Sequence, residues 1–205
     1  MDNSVVFIID DDASVRDAIS NLLESVGLNA QTFGSTEEFL AAQRTEAASC
    51  LVLDVMLPGM RGLEFQEMLK KNGVSIPIIF ITAHGDIPMT SKAMKAGAIE
   101  FLAKPFPKED LLAAIHRGLK LDLALRQQQA DRTSLQSRFE QLSPREREVM
   151  DYVVTGMINK QIAAQLGISE VTVKIHRRQV MDKMQAESLA DLVRMSDKLK
   201  IQIQK

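Results

Sequence analysis

Short apolar, β-prone runs alternate with stretches in which apolar positions recur every three or four residues, and the alternation repeats five times before residue 122. "VVFIID" (5–10) precedes "SVRDAISNLLESVG", where Val15, Ile19, Leu22, Leu23 and Val26 keep the spacing of one helix face and Gly27 supplies the stop. "NAQTF" leads into "STEEFLAAQ", in which Ser35 or Thr36 can cap the helix and Glu38 completes a capping-box pattern with Ser35. "CLVLDV" runs through "MLPGMRG" to "LEFQEMLKK", "IPIIFIT" to a helix near 87–96, and "EFLAKPF" to "KEDLLAAIHRGL". Strands apolar throughout and separated by helices predict a parallel sheet covered on both faces: an α/β, doubly wound (βα)5 fold of flavodoxin-like order.

The pattern changes at 122. "DLALRQQQADRTSLQSRFEQ" (122–141) is polar, Gln-rich and free of Gly and Pro, which favours a helical connector over a disordered linker; Leu135, Phe139 and Leu142 follow at helical spacing. From 142 to 205 every periodic stretch is helical. Ser143 caps a first helix, with Pro144 in its first turn and Glu146 three residues after the cap. "NKQIAAQLG" forms a second, closed by Gly167. Ser169 caps a third, "EVTVKIHRRQVMDKM", whose Val171, Val173, Val180 and Met184 can face inward while Thr172, Lys174, Ile175, Arg177 and Arg178 face out. A helix, a tight turn and a second amphipathic helix with basic residues near its start is the helix-turn-helix pattern, whose second helix enters the DNA major groove. A solvated basic face on a small bundle is the alternative. The expected division is thus 1–121, a connector at 122–141, and an all-α four-helix domain at 142–205.

Charge sharpens this division. The net charge is only -2, yet residues 1–121 carry 16 acidic against 11 basic residues and residues 142–205 carry 8 against 11, so the halves suit different partners. Cys50 is the single cysteine, which excludes an intrachain disulfide, and "SCLVLD" marks it as a buried strand residue. The three histidines are too scattered for a metal site. The longest apolar runs fall short of the roughly 20 residues of a membrane span, and the chain is expected in the cytoplasm without a membrane partner.

The chemistry gathers at the strand ends. In a parallel sheet all strands finish at one edge. Asp10 and Asp11 follow the first strand, Asp54 the third, Thr82 the fourth and Lys104 the fifth. Carboxylates this close repel unless a cation neutralises them, and an all-oxygen site with few protein ligands suits Mg²⁺. Lys104 would hold a second anionic oxygen and Thr82 donate to a third, a set that fits phosphoryl transfer to a carboxylate with Asp54 as nucleophile. Taken singly, Asp12 can be a helix cap, Asp54 a turn former and Lys104 a solvated cation; the constellation carries the functional reading.

These motifs have a family likeness. With "DD" after strand one, "LDVMLPGMRG" around the acceptor, "ITAHGD" and "AMKAGAIEFLAKPF", residues 1–121 resemble the receiver domain of bacterial two-component response regulators. The resemblance implies that a sensor histidine kinase phosphorylates Asp54, and that Asp11, Asp54 and the Met56 carbonyl bind Mg²⁺ (or Mn²⁺) with Asp10 helping through water. It also implies a cis Lys104-Pro105 bond, and a switch in which Thr82 moves inward and Phe101 follows into the vacated space. Met56 and His84 stand where phosphate lifetime is tuned, and slow loss of the phosphate is expected.

Residues 142–199, "LSPREREVM…NKQIAAQLGISEVTVKIHRRQV", resemble the output domain of LuxR/FixJ/NarL-type regulators. That likeness implies base-edge contacts by Lys174, Ile175 and Arg178 and phosphate contacts by Thr172, Arg177 and Lys160, with His176 packing between them. The implied whole is a transcription regulator that forms a homodimer when phosphorylated and binds duplex DNA with two half-sites, with RNA polymerase a further partner. Leu189, Leu192, Val193 and Met195 are candidates for a second dimer surface. An aspartyl-nucleophile phosphatase acting on small molecules is the rival, but such enzymes place an acid two residues after the nucleophile, where this chain has Met56.

Overall fold

A computed structural model describes residues 4–42, 47–83 and 85–203. Five strands, β1 (Val5–Ile9), β2 (Asn29–Phe33), β3 (Ser49–Asp54), β4 (Ile78–Thr82) and β5 (Glu100–Ala103), form one parallel sheet in the order β2-β1-β3-β4-β5. The doubly wound α/β expectation holds. Alternation along each central strand sorts its side chains between two cores. Val5, Phe7, Ile9, Leu51, Leu53, Ile78 and Phe80 pack on the face covered by α2 (Thr36–Ala41), α3 (Gly62–Lys71) and α4 (Ile87–Lys95). Val6, Ile8, Cys50, Val52, Ile79 and Ile81 pack beneath α1 (Ala13–Ser25) and α5 (Lys108–Glu140). Only β1, β3 and β4 are buried throughout. The edge strands β2 and β5 are not, because each lacks a neighbour on one side.

Helix starts follow side-chain chemistry. Asp12 caps α1 by accepting the Ser14 N–H at 2.8 Å, and Ser35 caps α2 by accepting the Glu38 N–H at 3.3 Å. The expected capping box of α2 is displaced by one residue, since the Glu38 carboxylate accepts from the Gly34 N–H at 2.7 Å. Val26 sits just past α1 and is exposed, so the apolar stripe ends at Leu23.

At the opposite edge from the acidic strand ends, Asp122 on α5 is buried and accepts the Ser49 N–H at 2.8 Å and the Arg126 Nε–H at 2.6 Å. The carboxylate supplies an acceptor to the first residue of β3. Burial, with the Asp122 charge adding to it, pushes the neighbouring Cys50 thiol up to about 12, so Cys50 remains a neutral core residue.

The chain divides into two units at Arg126 and Gln127, within the length of α5. In the second unit, α6 (Pro144–Val154), α7 (Asn159–Leu166), α8 (Glu170–Met184) and α9 (Leu189–Ile203) enclose a core of Leu135, Leu142, Val149, Met150, Val153, Ile162, Val173, Val180, Met184, Leu192 and Leu199. Gly167 takes the left-handed conformation (φ 64°) that ends α7 and turns the chain toward Ser169, whose hydroxyl accepts the Thr172 N–H at 3.1 Å. Val171 departs from expectation: it lies outside this core and is 69% exposed. Of the α9 candidates, Leu192 belongs to the core and Leu189 is exposed, while Val193 and Met195 are half-buried. No described helix is long and apolar enough to cross a membrane.

Glu146 pins α6 to α8. It closes a capping box with Ser143 and accepts from Lys183 Nζ at 2.6 and 2.9 Å. Burial alone would raise its pKa, but the hydrogen bonds from Lys183 and Ser143 outweigh that and hold it below the usual 4.5.

Two predictions follow from these anchors. Asp122→Ala leaves the Ser49 N–H without its acceptor and should lower stability by about 1–3 kcal/mol in urea unfolding, with Asp122→Asn intermediate; an unchanged midpoint would show that the clamp is dispensable. A depressed carboxylate contributes stability that is present above its unfolded pKa and lost as pH falls through the folded one. Amide protection in α6, taken relative to the intrinsic exchange rate at each pH, should therefore fall as the pH drops below about 4.5, and Lys183→Met should lower protection at neutral pH while flattening that acid dependence.

Candidate functional site: an acidic strand-edge pocket and a basic helix face

The β2-β1-β3-β4-β5 order reverses direction between β1 and β3, and a doubly wound sheet opens its binding crevice there, beyond the strand ends. Asp10 follows β1 directly and is fully buried. Its Oδ1 accepts the Asp12 N–H at 2.9 Å and its Oδ2 accepts from Lys104 Nζ at 2.6 Å. The same ammonium donates to Asp54 Oδ2 at 2.7 Å, while Asp54 Oδ1 accepts the Met56 N–H at 2.8 Å. One cation thus spans two carboxylates that lie 44 positions apart in the chain, counted from Asp10 to Asp54.

Asp11, next in sequence, points outward and is exposed, yet one oxygen each of Asp10, Asp11 and Asp54 falls within 4.8 Å of the others. This all-oxygen, carboxylate-rich set can hold a divalent metal. Burial raises the pKa of Asp10 above 3.8, with the Lys104 and Asp12 hydrogen bonds opposing. For Lys104 burial would lower the pKa, but the hydrogen bonds to Asp10 and Asp54 prevail and raise it.

Lys104 is aimed by its backbone: its N–H donates to the Thr82 carbonyl at 2.7 Å, and the Lys104-Pro105 peptide is cis, as the resemblance implied. Thr82 ends β4 fully buried. The Phe101 ring lies beside it in the half-buried layer, 6.2 Å from Phe80 between centroids. Gly85 makes room for that ring: a Cβ there would stand 2.8 Å from Phe101 Cε1 and 3.2 Å from Thr82 Cγ2. His84 lies outside the described residues.

Sequence reasoning missed two supports of the pocket. Arg16 donates from Nη1 to the Asp10 carbonyl at 2.6 Å, and its only sequence signal is its place one turn into the helix that Asp12 caps. Gly62 opens α3 directly against the end of β3; a Cβ there would come 2.5 Å from the Asp54 carbonyl oxygen and 3.0 Å from Val55 Cα.

In the second unit the outward positions of α8 divide in two. Lys174, Ile175 and Arg178 are exposed, as is Lys160 in the first turn of α7. Thr172 and Arg177 are engaged within the protein: the Thr172 hydroxyl lies 2.8 Å from Ser169 Oγ, and Arg177 Nη1 donates to Asn159 Oδ1 at 3.0 Å and the Met157 carbonyl at 3.4 Å. His176 is half-buried, with Nδ1 3.2 Å from Gln179 Oε1.

Comparison with known proteins agrees with both halves. Residues 6–116 match the model of the response regulator receiver domain, and residues 140–196 that of the bacterial regulatory proteins of the luxR family. Nodulation protein W of Bradyrhizobium diazoefficiens is 52% identical over 97% of this chain and 87% of its own length. The chain is a two-component response regulator of the LuxR type. The response regulator protein TodT of Pseudomonas putida is 48% identical over 96% of this regulator and 87% of its own length. The structure of the response regulator StyR superposes with a TM-score of 0.89 at 50% identity, covering 95% of this chain and 98% of that one. Membership gives this regulator a transcriptional role, with a kinase as input partner and DNA as output partner.

The approach of α3 to β3 of this regulator can be tested without any ligand. Gly62→Ala should cost about 1–3 kcal/mol of stability in urea unfolding, because the neighbours of the new methyl are backbone atoms that cannot swing aside. Retention of the full stability would mean that the helix start can retreat freely from Asp54.

Proposed function

We propose that Asp54 is the phosphoacceptor of a switch in which phosphorylation by a sensor histidine kinase promotes dimerisation and operator binding. The observation that carries this reading is the Lys104 ammonium shared between Asp10 and Asp54 at 2.6 and 2.7 Å. A phosphoryl group on Asp54 replaces a compact carboxylate with a larger anion, and Lys104 is within reach to pair with one of its oxygens. The pocket is also suited to Mg²⁺ or Mn²⁺, since three carboxylate oxygens, all hard donors, converge within 4.8 Å. Asp10, Asp11, Asp54 and the Met56 carbonyl would hold the ion, with Asp10 acting through water. When bound, the ion neutralises carboxylate charge and shares an oxygen of the phosphoryl group.

Asp54 attacks the phosphorus of the kinase's phosphohistidine as the nucleophile, the new O–P bond forming as the N–P bond breaks and the imidazole leaves, while Lys104 orients and balances charge. Thr82 then turns its hydroxyl toward the phosphoryl group, and Phe101 moves into the space it leaves beside Gly85. The proposed division is a receiver at 1–121, a connector at 122–141 and an output domain at 142–205. Lys174, Ile175 and Arg178 approach base edges, with Lys160, Thr172 and Arg177 on the backbone side; Arg177 also ties α8 to the start of α7 through Asn159, and Thr172 steadies the cap of α8 through Ser169. The operator has two half-sites, so dimerisation raises the effective concentration of the second output domain. Contact with RNA polymerase, a cytoplasmic setting and slow loss of the phosphate complete the proposal. Met56 two positions after Asp54 cannot transfer a proton, which favours regulation over turnover of small phosphate esters.

The protein loaded with Mg²⁺ and beryllofluoride should double in mass by light scattering and bind an operator fragment selected from its host genome about 10²-fold more tightly. Asp54→Asn should abolish both responses, and Asp11→Asn should raise the metal concentration they require. Equal mass and affinity with and without the phosphoryl mimic would overturn the switch.

A further inference from the structure

Val171 is the residue that sequence periodicity assigned to the core and the structure turns outward. At about 100° per residue, Val173, Val180 and Met184 occupy one side of α8, and Val171 lies roughly opposite them. Those three are fully buried, whereas Val171 is 69% and Ile175 53% exposed. Lys174 and Arg178 border this stripe along one side, and the Arg178 side chain is 86% exposed, paired with Asp182 at 3.8 Å. Two β-branched apolar side chains one turn apart, on the solvent side of a short helix and beside two cations, are poorly explained by folding. They add nothing to the core, and they lower helix propensity.

Resting on the reading of α8 as the DNA-recognition helix, we propose that Val171 and Ile175 together form an apolar reader of thymine. The major groove offers one apolar feature, the C5-methyl group of thymine, and Lys174 and Arg178 bring the complementary charge that draws the helix to a polyanion. A protein partner would need neither cation beside the pair. Recognition helices present their N-terminal residues to base edges, and Val171 stands in the first turn, directly after the Ser169 cap and Glu170. Four residues of helix rise about 6 Å, close to two base-pair steps of about 3.4 Å, so the pair spans two thymines no more than two steps apart. Thr172, held by Ser169, and Arg177, held by Asn159 and Met157, fix the helix start so that both side chains keep one orientation.

The test uses the full chain with Mg²⁺ and beryllofluoride on a selected operator, in which each half-site thymine is replaced in turn by deoxyuridine. This exchange removes the methyl group and leaves every hydrogen-bonding atom in place. Two positions should each weaken binding about three- to tenfold. Val171→Ala should lose sensitivity at one of them and Ile175→Ala at the other. Both variants should melt like the parent, because neither side chain is in the core. Lys174→Ala and Arg178→Ala on the unmodified operator test the underlying reading separately. If they leave affinity unchanged, α8 is not the reading helix. If they weaken binding while every deoxyuridine substitution is silent, or while Val171→Ala keeps both sensitivities, the thymine reader is overturned and the recognition helix stands.

Discussion

Two carboxylates, one of them fully buried, cannot both stay ionised at the end of a sheet unless a cation lies between them. The Lys104 ammonium is that cation, donating to Asp10 and Asp54 at 2.6 and 2.7 Å. The interaction constrains far more than three side chains. It requires β1, β3 and β5 to end at the same edge, hence a parallel sheet, and it requires the chain to stop pairing at Ala103 so that Lys104 can turn inward. One ammonium also leaves the cluster with excess negative charge once Asp11 is counted. Such a site can accommodate a divalent ion without depending on one to offset the buried charge.

A pocket at one edge of a sheet is only as rigid as the strands that carry it. Phe80 and Phe65 are fully buried beneath the acceptor, and Gly62 lets α3 start in direct contact with the Asp54 backbone. At the far edge Asp122 closes the first residue of β3 with a charge-assisted bond of 2.8 Å. Beside the pocket, Thr82 and Phe101 close around Gly85 with no room for a further methyl, against the half-buried strand β5.

Much of this was legible in the amino-acid sequence, for identifiable reasons. The five strand-helix units announce themselves through apolar runs of strand length, and Asp12, Ser35, Ser143 and Ser169 mark helix starts by local hydrogen bonding that depends on nothing distant. The strand-end acids and Lys104 could be brought together because a parallel sheet has only one carboxyl edge. What stayed hidden depends on long-range geometry. Arg16 and Asp122 act on backbone atoms, which leave no trace in a pattern of side chains. Arg177 looked like a free cation because nothing in its neighbourhood along the chain reveals Asn159 as its acceptor. Val171 was misread because it is as apolar as Val173, yet two residues turn a helix by about 200° and set it on the opposite side.

That misreading exposes a division of labour on α8. Its inner face, Val173, Val180 and Met184, is shared with Val149, Met150 and Leu192, and its last turn is fastened to α6 through Lys183 and Glu146. These contacts make folding of the second unit independent of what the outer face carries. Val171, Lys174, Ile175 and Arg178 lie outside that packing and outside the cap at Ser169. Exposed apolar side chains are a modest solubility burden on any free protein. Two of them beside two cations are physically reasonable when the partner is a polyanion whose groove contains methyl groups, because the same surface then gains from charge on approach and from desolvation on contact.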